Sequence, residues 1–292
     1  RNSMIGMMIG TVVNIILAPI MIMGMGMGVV GAAVATIIGN ICSVVYYIYY
    51  LTKRTTVLSI SIKKFKMKRD MISNILVIGI PVFVNNILFS FANLIFNNFA
   101  SGYGEIVVSS IGIPHRINSL PVMVMIGLSQ GIQPFVGYNY SANNYKRMNG
   151  AIRFSIACSV ICGTIIAVVS FIAAEPLVGI FIENSEIIEL GSIFLKIFII
   201  PIPILGIQFI YMNTFQAMGK AVPALVLSVC RQGVAFIPAL IIGKKLFGLY
   251  GIIWAQPVSD FLTIAISIVL YIIIHRSIKR EISMRRELLK AS

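Results

Sequence analysis

Apolar runs of about 20 residues, the length that crosses a hydrocarbon core, recur eight times along this 292-residue chain. They cover roughly 4 to 23, 29 to 51, 71 to 100, 106 to 136, 150 to 174, 187 to 215, 222 to 246 and 250 to 275. With 58% hydrophobic and 11% charged residues, and a mean hydropathy of +0.96, too little charge is left to cover a water-facing surface. The pattern therefore predicts an all-α, polytopic membrane bundle, and the even number of spans puts both ends on one side.

The charges say which side. A net charge of +14 would suit nucleic acid if it lay over one face, but it gathers in short segments between the apolar runs. Lys53, Arg54, Lys63, Lys64, Lys66, Lys68 and Arg69 follow the second run, Lys146 and Arg147 the fourth, and Arg276, Lys279, Arg280, Arg285, Arg286 and Lys290 the eighth. The connection after the fifth holds Glu175, Glu183, Glu186 and Glu189 without Lys or Arg. Positive residues collect on the cytoplasmic side, so both ends are expected there, in a cell membrane. Lys244 and Lys245 fall on the wrong side, at a helix end where lysine can snorkel. Cys42, Cys158, Cys162 and Cys230 sit inside apolar runs without His or carboxylate neighbours, which reads as packing and not metal binding. Neither a catalytic constellation nor a phosphate-cradling loop is present, so no enzyme activity, cofactor or nucleotide is expected.

An internal repeat organises the spans. Pro19 is followed by Gly28-Val-Val-Gly31 and Ala35, and Pro238 by Gly248-Leu-Tyr-Gly251 and Ala255, roughly 220 residues later. That is the scale of duplicated bundles within a transporter. The chain accordingly divides into two helices that end a first lobe (1–51), a basic cytoplasmic linker suited to an anionic leaflet (52–70), a six-helix second lobe (71–275) and a basic tail (276–292). On this reading the first lobe lacks four helices, and the sequence is expected to be a piece of a twelve-helix, two-lobe protein.

The fourth run ends in Gly127-Leu-Ser-Gln-Gly-Ile-Gln-Pro-Phe-Val-Gly-Tyr-Asn-Tyr140. Gly127, Gly131 and Gly137 would admit a neighbouring backbone, Pro134 removes a helical donor, and Gln130 and Gln133 are amides in oil. Such a stretch is tolerated where protein or a wet cavity satisfies it, either as a packing kink or as a hinge at Gly131 and Pro134. This run, GLSQGIQPFVGYNYSANNYKR, resembles the most telling motif of the multidrug and toxic compound extrusion (MATE) family. Further similar segments are Gly28 to Thr36, Gly112 to Asn118 (GIPHRIN), Phe215 to Ala221 (FQAMGKA), and RQG followed by Pro238, GLYG and QPVSD. The resemblance covers essentially the whole chain, and it too implies twelve helices in two lobes.

Charges inside spans are costly unless paired or wetted, so they mark candidate sites. Arg116, Lys196, Arg231 and Asp260 each lie about ten residues into a span, near mid-membrane at 1.5 Å per residue. Arg231 and Asp260 stand at nearly equal distances from the turn near Lys245, so an ion pair across that hairpin is expected, whether structural or functional. Arg116 and Lys196 lack an acidic partner, and His115 beside Arg116 is a possible proton relay. Asn86, Ser90, Asn93 and Asn97 recur at four, three and four, which puts one polar stripe on the third span as interhelical glue or pathway lining. Gln208, Asn213 and Gln216 add amides on the sixth.

Two departures from the family pattern bear on coupling. Relatives often read NIILDPIFI where this chain has NIILAPIMI, so Ala18 replaces an aspartate. Some carry a glutamate in the helix that opens the second lobe, where asparagines stand here. Asp260, in the family's QPxxD pattern, is the remaining intramembrane carboxylate. The resemblance implies a monomeric secondary transporter in contact with membrane lipids, exporting small amphipathic or cationic organic molecules in exchange for H+ or Na+. A flippase of lipid-linked sugars, favoured by the cations, and an inactive fragment are the alternatives.

Overall fold

The computed structural model describes residues 2–53 and 69–291, which form two compact units divided between Arg69 and Asp70. The expected linker falls largely on residues 54–68, outside the described residues.

The first unit is a helical hairpin of α1 (Asn2–Pro19), which ends in a π turn over Ile20–Gly24, and α2 (Gly28–Lys53). Small residues let the two backbones approach, as in membrane interfaces generally. A Cβ on Gly39 would lie 2.6 Å from the Gly10 carbonyl oxygen, and one on Gly31 2.8 Å from the Met21 carbonyl. Ser43 donates to the Gly6 carbonyl at 2.9 Å, and Asn14 Nδ2 to Thr36 Oγ1 at 3.0 Å.

The second unit begins with α3 (Arg69–Ser101), α4 (Glu105–Ser141), α5 (Tyr145–Ile172) and a short α6 (Ala174–Gly179). Then come α7 (Ser185–Ile199) and α8 (Ile202–Ala217), α9 (Ala221–Val229), a π turn over Cys230–Ala235, and α10 (Phe236–Ala291). Among the described residues, six helical runs have the length and apolarity of a membrane span, and α7 with α8 makes a seventh that bends by 46°. The run Ala221–Ile278 counts double. Its 58 residues would reach about 87 Å as one helix, far beyond a bilayer, but Gly248 at φ 59°, ψ −128° breaks it and the chain turns back. Gly243 and Gly251 then meet backbone to backbone. Eight spans result.

Large apolar side chains cover the outside, with Ile172 80% exposed and Val29 88%, which is a lipid-facing surface and not a soluble one. Inside the second unit, Phe96 of α3 packs with Phe194 and Phe198 of α7 and with Phe236, Leu240 and Ile252 of α10. Met125, Leu195, Ile202 and Leu205 join α4 to α7 and α8, while Val136, Ile152, Phe215 and Leu227 close the other end.

Three local expectations change. The sixth span is not one helix, because Pro201 and Pro203 withhold donors and the break falls between Ile199 and Ile202. The fifth starts earlier, at Tyr145, where Asn144 Oδ1 caps the Arg147 N–H at 3.3 Å. The segment expected as a tail continues α10 and is helical through Ala291.

Candidate functional site

The site is built around the ion pair of Arg231 and Asp260. Arg231 leaves the π turn beside Gln232, and Asp260 sits on the returning arm of α10, so the Gly248 reversal brings them level. Arg231 Nε donates to Asp260 Oδ1 at 3.0 Å, with the two side chains 14% and 4% exposed. Gln256 Nε2, one turn earlier, donates to the same oxygen at 3.1 Å. Ser259 donates from Oγ to the Arg231 carbonyl at 2.5 Å, where the wide π turn disturbs the ordinary helical ladder. The guanidinium lies 4.9 Å above the Phe209 ring, a cation–π contact that compensates part of its desolvation.

The pair faces a crevice of about 300 Å³ between α3, α4, α7, α8 and α10. Asn85, Asn86 and Phe89 of α3 form one wall, and His115, Asn118 and Val122 of α4 another. Phe198 and Phe209 close it from the bent span, opposite Gln232 and Gln256. An enclosed annex of about 20 Å³ lies beside it between Asn93, Phe96, His115, Phe236 and Gln256. Aromatic walls around a buried carboxylate and several amides can hold a flat, apolar body with a polar or positive end.

The expected residues separate into three groups. Asn86, Arg231 and Asp260 line the crevice and Asn93 its annex. Ser90 and Asn97 are exposed one step around α3, where Ser90 Oγ donates to the Asn86 carbonyl at 3.0 Å. The crevice thus takes the edge of the stripe and not its centre.

The remaining residues lie elsewhere. Arg116 is exposed and outside the lining. Lys196 is half-buried on the opposite side of α7 from Phe198, with Nζ 5.8 Å from the centre of the Phe171 ring of α5. Gln208 is 1% exposed, and its Oε1 has no partner among the described residues. In the GLSQGIQ segment, Gln130 is exposed and Gln133 half-buried, neither lining the crevice. Ser129, next to Gln130, is buried and accepts from Asn213 Nδ2 at 2.9 Å. The close-approach reading of the glycines holds at Gly137, where a Cβ would lie 3.4 Å from the Ala217 carbonyl oxygen. At Gly127 and Gly131 a Cβ would meet no described neighbour within 4 Å, and α4 runs on as helix through Gly131 and Pro134.

Asn118, Gln232, Gln256 and the phenylalanine walls were not singled out from the sequence. Gln232 adjoins Arg231 and Gln256 precedes Asp260 by one turn, so position relative to the charged pair was the available signal.

Membrane-spanning helices in both units, with a charged, amide-lined crevice inside the second, define a polytopic helical membrane protein. The chain belongs to the MatE family, whose profile matches residues 81–241. It is 34% identical over 272 residues to "Multidrug export protein MepA" of Staphylococcus aureus (strain MSSA476), a match covering 93% of this chain and 60% of that protein. The chain thus spans about three-fifths of that relative's length. In fold it is similar to a MATE crystal structure in the bent conformation, with TM-score 0.85 and 22% identity over 96% of this chain and 63% of the other. It is equally similar to a multidrug resistance MATE family transporter in an outward-facing conformation, with TM-score 0.84 and 22% identity over 95% and 63%.

Proposed function

We propose that the protein is a secondary active exporter of amphipathic, cationic organic compounds, working by alternating access in exchange for H+ or Na+. Its relative is named for multidrug export, and the observation that carries the reading here is a carboxylate, Asp260, buried in an aromatic crevice of drug-like size. The exposed polar residues Asn86, Ser90, Asn97 and Gln130 are available to line the rest of the pathway. The protein sits as a monomer in the cell membrane with its basic segments, and both ends of this chain, in the cytoplasm.

The sugar-lipid flippase reading needs cations that converge. Arg231 is already paired with Asp260, Arg116 is exposed away from the lining and Lys196 turns toward Phe171, so no unpaired cation among the described residues lines the crevice, and its aromatic walls favour a cationic substrate. Asp260→Asn tests the proposal. Efflux of a cationic dye should fall at least about tenfold further than the amount of folded protein does, since a buried charge contact is worth more than a neutral one. Equal losses of both would make the pair purely structural.

A further inference from the structure

We propose that Asn118 makes the crevice choose substrates by the hydrogen-bond donors they carry, favouring primary and secondary ammonium cations over quaternary ones of equal size. This rests on the export reading above and names the chemistry that the same site selects.

The argument starts from charge. Arg231 already neutralises Asp260, so a cation entering the crevice meets a pair and not a bare carboxylate, and its net Coulomb gain is small. The aromatic walls attract any cation, quaternary or not. Discrimination is left to directional contacts. Of the three residues with a buried side-chain oxygen that has no partner among the described residues, Asn118, Gln208 and Thr214, the one that lines the crevice is Asn118. A buried acceptor left unmatched is expensive, and a ligand N–H removes that cost while a methyl group does not. Asp260 supplies a second acceptor: Arg231 and Gln256 both engage Oδ1, and no described residue donates to Oδ2. Two acceptors between Phe89, Phe198 and Phe209 fit an aromatic body carrying an N–H cation.

The test uses the intact protein in proteoliposomes and two probes, a naphthylmethylammonium ion and its N-trimethyl analogue. The wild type should move the first faster by about fivefold, the ratio one satisfied buried acceptor supports. Asn118→Leu, which keeps the volume and removes the acceptor, should erase that ratio by slowing the first probe alone, and Asn118→Asp should restore it. A ratio unchanged in Asn118→Leu, or a parallel loss for both probes, overturns the proposal and assigns Oδ1 to bound water or to packing. If the wild type moves neither probe, the export reading fails, and binding of the same two cations to the purified protein decides Asn118 on its own: equal affinities in the wild type would sink it.

Discussion

At the scale of single residues, burial decides what the Arg231–Asp260 pair does for the fold. Asp260 is 3% exposed, and its carboxylate is held by a guanidinium, an amide and the helix around it. Removing one partner leaves the other as an unmatched buried charge, whereas removing both leaves only a packing defect. Arg231→Leu alone should therefore cost about 3–5 kcal/mol, and Arg231→Leu with Asp260→Leu distinctly less. Thermal melting of the purified protein measures both. A double variant as unstable as the single would mean that the crevice wets Asp260 well enough for it to stand alone.

At the scale of elements, the sequence spoke clearly wherever physics is periodic and faintly wherever it is local. Eight spans were countable because hydrocarbon thickness sets one length for all of them, and the Arg231–Asp260 contact was legible because equal distances from a turn imply equal depth. Asn118 was not, since what marks it is an Oδ1 without a partner among the described residues, which only neighbours from other helices can show. Glycines misled for the same reason. Gly163 looks like any other glycine in an apolar run, yet a Cβ there would lie 2.7 Å from the Ile202 carbonyl oxygen and 3.0 Å from the Pro203 Cα, at the bend between α7 and α8. At Gly131, in the conspicuous motif, a Cβ would meet no described neighbour within 4 Å.

The two glycines should therefore respond oppositely. Gly163→Ala must push backbone against backbone and should lower the melting temperature by roughly 4–8 °C. Gly131→Ala should raise stability by about 0.5–1 kcal/mol, the usual gain inside a helix. If Gly131→Ala also slows efflux while the protein melts higher, the helix bends there during transport. Unchanged efflux removes the hinge.

At the scale of the whole molecule, the repeat seen in the sequence reappears in backbone conformation. Gly28 and Gly248 share a left-handed φ, 53° and 59°, and Gly31 and Gly251 each face a neighbouring backbone carbonyl. Counted from those glycines, Asn40 stands where Asp260 does and Thr36, which accepts from Asn14, where Gln256 does. One hairpin kept neutral amides and hydroxyls; the other carries the ion pair. Charge is likewise divided along the second unit, with Lys146 and Arg147 opening α5 at one end and Glu183, Glu186 and Glu189 around the start of α7 at the other. Lys244, the dissenting cation, is half-buried with Nζ 3.9 Å from the centre of the Phe99 ring, so aromatic contact compensates it on the acidic side. Topology follows from that division. In a background with Cys42, Cys158, Cys162 and Cys230 replaced, Glu186→Cys should react with a membrane-impermeant thiol reagent added to intact cells. Asn143→Cys, in the turn before α5, should react only after the membrane is opened. The reverse pattern would place the basic turn outside, and the crevice would then have to load from the opposite face to the one export requires.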